Sequence, residues 1–324
     1  MIRLMRKAFD WRHLAPAMLS LLAAAALSQE DEIRTGLELT PDHFPQDGVP
    51  RGRLEGPFEF HSEIIAGTVR QYWLFIPAQY TANEPSAVAI FQDGQRATNP
   101  EGSFRAPQVL ENLIHQGAIP VTIGIFVTPG NRSEAYPTDL DMSNPNNRAQ
   151  EYDAVDDRYA RMLIEELLPR VAEDYSLTDD PEQRMIAGSS SGAIAAFTAA
   201  WFRPDYFRKI YSGIGSYVSI GFRPDANPVR LGGQDYPALI RREAIRPMRI
   251  FFQDGSNDLD NEWGNWFLAN QQMVAALDYA NRSADRRRRD GPRYNFTFVW
   301  TDGQHSDEHP GALLPEAMRW LWSE

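Results

Sequence analysis

The chain has 324 residues, 43% hydrophobic, 23% charged and 11% aromatic, with a formal net charge of −12 and no cysteine. That balance excludes a disordered tail, a coiled coil and a collagen-like chain, and the length suffices to bury a core without a disulfide or metal staple. Acidity disfavours nucleic acid and anionic membranes as partners, and the missing thiol removes cysteine nucleophiles, Cys-based zinc sites and Cys lipidation.

Arg3, Arg6, Lys7 and Arg12 make a basic start, residues 14–27 are an apolar run, and Ala26-Leu27-Ser28 is a small-x-small cleavage signature. Residues 1–28 therefore read as an export signal. The run is shorter than the roughly 20 apolar residues that a spanning helix needs. Cleavage after Ser28 would leave 296 residues at net −15. The expectation is an exported soluble protein, periplasmic or extracellular, without stable membrane insertion.

Residues 29–56 are polar and contain proline, and read as a leader without its own core. The folded domain is expected over 57–324. Residues 58–65 and 69–77 flank Ala66-Gly67-Thr68 and predict an antiparallel hairpin. The apolar runs 87–91 and 121–127 predict strands buried on both faces. A helix is expected over 107–115 between them. Residues 131–148 are rich in Asn, Pro, Asp and Ser and read as a polar loop. A long amphipathic helix is expected over 151–175, with Pro169 as a kink. Strands at 184–187, 209–213, 248–253 and 294–300 alternate with helices at 191–202, 265–279 and 313–322. This alternation predicts an α/β fold whose mainly parallel sheet carries helices on both faces. The run Arg286-Arg287-Arg288-Arg289 lies between Asp285 and Asp290 and reads as a solvated connection.

The strongest local signal is Gly188-Ser189-Ser190-Ser191-Gly192. It follows a short apolar strand and opens a helix, the setting of a G-x-S-x-G nucleophile elbow. The tight turn needs small flanking residues, and it presents the central hydroxyl at the strand's carboxyl end. Register with the two glycines selects Ser190 over Ser189 and Ser191. In such folds the order is serine, acid, histidine. Only His305 and His309 follow Ser190. His305 comes directly after the last strand and is taken as the base. A metal site built on His305 and His309 is disfavoured, because Gly303 and Pro310 bracket the pair and argue against a helix. The acid is expected after the preceding strand, in Asp254-Gly255-Ser256-Asn257-Asp258-Leu259-Asp260. Asp258 is preferred, with Asp260 second and Asp254 as a turn-former. The backbone N–H of Ser191 is expected to face a developing oxyanion, together with that of Gln95 or, alternatively, Gly94.

With these residues in hand the chain resembles an esterase family of α/β-hydrolases. That family includes enterochelin esterases, feruloyl and acetylxylan esterases, S-formylglutathione hydrolases and mycolyltransferases. The resemblance is carried by Phe91-Gln92-Asp93-Gly94-Gln95, Asn147-Arg148-Ala149-Gln150-Glu151-Tyr152 and Glu166-Leu167-Leu168-Pro169. It continues through the elbow, Pro204-Asp205-Tyr206-Phe207, Gly255 to Asp258 and Gly303-Gln304-His305. It is strongest toward exported enterochelin-esterase-like proteins. A second glycine common after the elbow is Ala193 here, and one methyl should crowd the helix start only slightly.

The resemblance implies an α/β-hydrolase acting on a carbohydrate-linked, aromatic-acid or siderophore-type ester, with no cofactor and no metal. The expected partner is a small-molecule or carbohydrate ester, and no nucleic acid. Trp263 and Tyr136 are expected near the substrate, Trp266 either there or packed inward as the first turn of a core-facing helix, and Arg148 with Glu151 is read as an ion pair fixing the polar loop. The alternatives are acyl transfer to an alcohol and a non-catalytic binding protein on the same scaffold.

Overall fold

Uninterrupted apolar runs form the centre of the sheet, and the hairpin closes one edge. The computed structural model describes residues 32–140 and 144–323. The export signal expected over 1–28 lies outside them. Strands β1 (Arg53–Ser62) and β2 (Thr68–Ile76) form the antiparallel hairpin. Next come β3 (Ala87–Gln92), β4 (Thr122–Val127), β5 (Arg184–Ser189), β6 (Lys209–Gly213) and β7 (Arg249–Gly255). A short ribbon of β8 (Asp260–Asn261) and β9 (Gly264–Asn265) follows, and β10 (Asn295–Thr301) comes last. The main sheet runs β1-β2-β4-β3-β5-β6-β7-β10. β2 is antiparallel to β1 and β4, and every later pair is parallel. The carboxyl ends of β3, β5, β6, β7 and β10 therefore share one edge. This is the α/β-hydrolase architecture.

The helices are α1 (Gly94–Ala97), α2 (Ala106–His115), α3 (Arg148–Tyr152), α4 (Arg158–Arg161) and α5 (Leu168–Ala172). They continue with α6 (Ser191–Phe202), α7 (Tyr236–Arg242), α8 (Trp266–Arg286), α9 (Glu308–Ala312) and α10 (Leu314–Trp322). Side chains alternate across each strand, so the sheet has two cores. Val88, Ile90, Ile125 and Ile186 meet Ile194 and Phe197 of α6 and Met273 and Leu277 of α8 on one face. Ala89, Phe91, Phe126 and Met185 meet Leu110 and Leu113 of α2 and Leu314 and Met318 of α10 on the other. Each fully buried Leu, Ile or Phe contributes about 1.5–3 kcal/mol. α6 is apolar all round because it is buried all round. Among the described residues no helix is long and apolar enough to cross a membrane.

Two expectations change. The helix expected over 151–175 is interrupted at 153–157, and α4 leads into α5 through a π-helical turn, Met162–Leu167. Pro169 has no N–H for the carbonyl four residues earlier, and the widened turn absorbs the mismatch. The leader expected over 29–56 belongs to the folded unit from Ile33 onward. Periodicity misses this segment because it docks through polar contacts. Arg34 N–H donates to Trp300 O at 2.9 Å, and its guanidinium meets Glu316 at 2.7 Å. Asn112 Nδ2 donates to Asp42 O and Phe44 O at 2.8 and 2.9 Å.

His43 is the buried anchor of that segment. Its Nε2 contacts Gly311 O at 3.0 Å, and Thr40 N–H donates to its Nδ1 at 3.1 Å. Burial holds the imidazole below its ordinary pKa, although its backbone partners Gly311 and Thr40 pull the other way. Unfolded chains protonate this group near about pH 6.5. The folded protein resists that proton, so stability is lost as pH falls from there toward the depressed folded value. Denaturant melts at about pH 7.5 and 5.5 should show a loss for wild type that is smaller for His43→Gln. Equal losses would assign the pH dependence to another group.

Candidate active site

The elbow forms because β5 must turn into α6 within Gly188 to Gly192. A Cβ on Gly188 would lie 2.2 Å from Gly192 O, so only glycine closes this turn. Ser190 is left at φ 59°, ψ −125°, a region costly for any L-residue with a side chain. Backbone bonds hold it there. Its N–H donates to Gly213 O at 2.9 Å, and its carbonyl accepts from Ala193 and Ser216 N–H at 3.0 and 3.3 Å.

Ser190 Oγ lies 2.9 Å from His305 Nε2, and His305 Nδ1 lies 2.6 Å from Asp258 Oδ1. The Asp258 side chain is fully buried, whereas that of His305 is 22% exposed. An ionised Asp258 accepts from Nδ1–H, which leaves Nε2 free to accept the serine proton. Ser216 Oγ lies 3.1 Å from Ser190 Oγ and accepts from Trp266 Nε1–H at 2.8 Å. Trp266 also sets its ring edge-on to His305, with centroids 5.7 Å apart.

Backbone contact brings the acid and base loops together. A Cβ on Gly255 would lie 2.1 Å from Gly303 O. Ser256 N–H donates to Thr301 O at 2.7 Å, and Asn257 N–H to Gly303 O at 3.1 Å. Asp258 N–H returns to Gly255 O at 3.0 Å and turns the carboxylate inward. Asp260 is exposed on the β8–β9 ribbon. His309 donates to or accepts from Thr301 Oγ1 at 2.8 Å, with its ring packed on Gly303.

The other two serines of the elbow face different partners. Ser189 Oγ donates to Asp307 Oδ1 at 2.6 Å. Ser191 lies beside Asp153, whose carboxyl burial pushes up in pKa while Ser191 and nearby Arg148 pull it down. Gln95 is buried in α1, immediately after β3. That loop abuts the elbow, since a Cβ on Gly192 would meet Asp93 Oδ2 at 3.1 Å and Gln92 Cβ at 3.2 Å.

Trp263 stands 41% exposed at the ribbon's tip, where its carbonyl accepts from Ser219. Trp266 is only 2% exposed. It supports His305 and Ser216 from behind and offers no face to a ligand, so of its two expected placements it takes the inward one. Tyr136 is also buried, with its N–H donating to Glu59 on β1, four strands from the elbow. It belongs to the hairpin edge and not to the site's rim. Arg148 and Glu151 do not pair with each other. Arg148 grips Asp93 at 2.8 and 2.7 Å, and Glu151 meets Arg70 at 3.1 Å and accepts from Gly130 N–H at 2.6 Å. α3 thus clamps both the β3 loop, through Arg148, and the start of the polar loop, through Glu151.

Three neighbours of the chain escape sequence reasoning: Ser216, Asp153 and the site side of Asp254. Ser216 and Asp153 carry no local motif. Asp254 shows its turn role, since Gly255 N–H donates to its Oδ1 at 2.7 Å. Its contact with Asp258 depends on tertiary folding.

A mainly parallel sheet with a serine at the elbow after β5, an acid after β7 and a histidine after β10 defines an α/β-hydrolase. A family model described as Esterase matches residues 65–290, and the chain belongs to that family. The iron(III) enterobactin esterase of Dickeya dadantii is 25% identical over 268 residues, covering 78% of this chain and 51% of that protein. The uncharacterized protein YbbA of Bacillus subtilis is 26% identical over 157 residues, covering 48% of this chain and 60% of that one. The chain thus spans about half to three fifths of the length of these curated relatives. The enterobactin esterase of Shigella flexneri with enterobactin superposes with a TM-score of 0.63 at 21% identity, over 86% of this chain and 60% of that one. A ferulic acid esterase of Anaeromyces mucronatus superposes at 0.56 with 15% identity, over 89% and 97%. At these identities the structures share the fold.

Gly255→Ala tests the loop contact. The methyl has only backbone to displace, so overpacking should cost about 1–3 kcal/mol, read from the denaturant midpoint. An unchanged midpoint would mean that the two loops separate freely.

Proposed function

We propose that the chain is a serine carboxylic-ester hydrolase working through an acyl-enzyme. One observation carries the reading: Ser190 Oγ, His305 and Asp258 form a continuous hydrogen-bonded chain of 2.9 and 2.6 Å. In this reading Ser190 attacks the ester carbonyl and His305 Nε2 takes its proton. His305 then gives the proton to the leaving alcohol, and Asp258 holds the tautomer and the imidazolium. The N–H groups of Ser191 and Gln95, at the starts of α6 and α1, receive the oxyanion. Water activated by His305 releases the acid and restores Ser190.

The proposed substrate is an aromatic-acid, siderophore-type or carbohydrate-linked ester. Support comes from the relatives, one named for enterobactin and one for ferulic acid. Exposed Trp263 beside the acid loop suits stacking on an aromatic acyl group or a sugar. Export to the periplasm or the medium belongs to the same proposal. It is supported by the basic start, the apolar run and Ala26-Leu27-Ser28.

The test is turnover of nitrophenyl acetate, methyl ferulate, acetylated xylan and a catecholate siderophore ester by wild type and variants. Ser190→Ala should abolish turnover with a nearly unchanged thermal midpoint. His305→Ala should lower kcat by about 10⁶-fold, and His309→Ala should not. Serine-independent turnover would sink the mechanism, and equal losses at the two histidines would misassign the base. Labelling of Ser190 by a fluorophosphonate, absent in Ser190→Ala, checks the nucleophile without any choice of ester. Release of the acyl group onto an added alcohol in preference to water would redirect the reading to acyl transfer.

A further inference from the structure

A second buried carboxyl lies directly behind the acid of the hydrogen-bonded chain. Asp254, at the end of β7, has no solvent exposure. Its Oδ1 accepts from Gly255 N–H at 2.7 Å and its Oδ2 from Asn270 Nδ2 at 2.6 Å. Its side chain is also within hydrogen-bond reach of Asp258. Asp258 Oδ1 is taken by His305 and by Leu259 N–H at 2.5 Å. Asp258 Oδ2 is buried and receives no bond from any ordinary donor among the described residues.

Two carboxyls in contact with no cation between them cannot both ionise at modest cost. No lysine or arginine among the described residues pairs with either. Asp258 faces His305 and gains from being the charged member. That leaves the proton on Asp254 and gives Asp258 Oδ2 the donor it lacks.

The geometry points to Asp254 as a neutral carboxyl that donates its O–H to Asp258, a positioning residue for the acid of the Ser190–His305–Asp258 chain. The inference rests on the reading of that chain proposed above. The pair carries one proton and one negative charge. The O–H holds the Asp258 carboxylate in the plane that meets His305 Nδ1, and Asn270, on α8, fixes Asp254 in turn. Burial first, and then the Asp258 contact, push the Asp254 pKa well above its ordinary range, in accord with this arrangement.

The groups facing Asp254 from the surrounding elements are few. Tyr217, beyond β6, is close enough to feel its charge, and Thr301 of β10 donates to its backbone carbonyl at 3.3 Å. His309 lies behind Thr301, and His305 beyond Asp258.

Two measurements test the inference. The first is the infrared difference spectrum of wild type minus Asp254→Asn near neutral pH. A protonated-carboxyl C=O band should be present in wild type and lost in the variant. Its absence from wild type overturns the inference whether or not any ester is turned over. The second is the pH profile of kcat/KM for nitrophenyl acetate. Asp254→Ala, which removes the donor, should lower kcat roughly 10–100-fold with little change in KM. Asp254→Asn keeps a donor toward Asp258 and should recover most of kcat, with the acidic limb of the profile where wild type has it. A limb shifted to lower pH in Asp254→Asn would mean that wild-type Asp254 is charged, and would overturn the inference. Full kcat in a folded Asp254→Ala would do the same. Failure of wild type on every ester falls on the proposed function and leaves the infrared result to decide the protonation state.

Discussion

Ser190 is held at φ 59°, ψ −125°, a conformation that costs about 1–3 kcal/mol, and the surrounding backbone is arranged to keep it there. Gly188 and Gly192 make room for the turn, Gly213 O accepts the Ser190 amide, and the first turn of α6 uses its carbonyl. Other features of the carboxyl edge are referred to this point. The β3 loop leans on Gly192, the loop after β6 brings Ser216 to the hydroxyl, and the base loop reaches it through His305.

The carboxyl edge is also where this protein buries its polar groups. Asp93 with Arg148 and Glu151 with Arg70 are ion pairs at or below a tenth side-chain exposure. Removing one partner of such a pair commonly costs about 3–5 kcal/mol, so these contacts fix loops at the expense of tolerance to change. Asp93 adopts a left-handed conformation at φ 52° where β3 gives way to α1, and the Arg148 fork holds its carboxylate. The fork thus sets the course of the backbone that carries Gln95.

Much of this was legible in the residues. Apolar runs without alternation marked β3 and β4, and the two glycines marked the elbow, because both signals are local. Scarcity made His305 readable, since two histidines follow Ser190 and one comes directly after the last strand. The choice of Asp258 rested on the reach of a loop after a glycine, and Asp258 is the aspartate that meets His305. Trp266 and Tyr136 both pack inward, because neither nearness to the acid loop in sequence nor membership of a polar loop decides which way an aromatic ring faces. The partners of Arg148 and Glu151 escape the sequence because adjacency on one helical turn does not outweigh better-placed groups on β2 and just after β3. Ser216 was invisible because its role arises only where β6 ends beside β5.

The docking of residues 33–52 has a consequence in time. His43 and Arg34 bond to Gly311 and Glu316 across 268 and 282 positions of chain. Contacts of such separation form late, because the intervening chain must be ordered first. As the polypeptide is made or threaded from its amino end, this segment emerges well before its partners and waits for them until α9 and α10 are out. Packing around α9 and α10, just beyond His305, is then closed by two segments far apart in the chain. A fragment beginning at residue 57 would have nothing to make that closure.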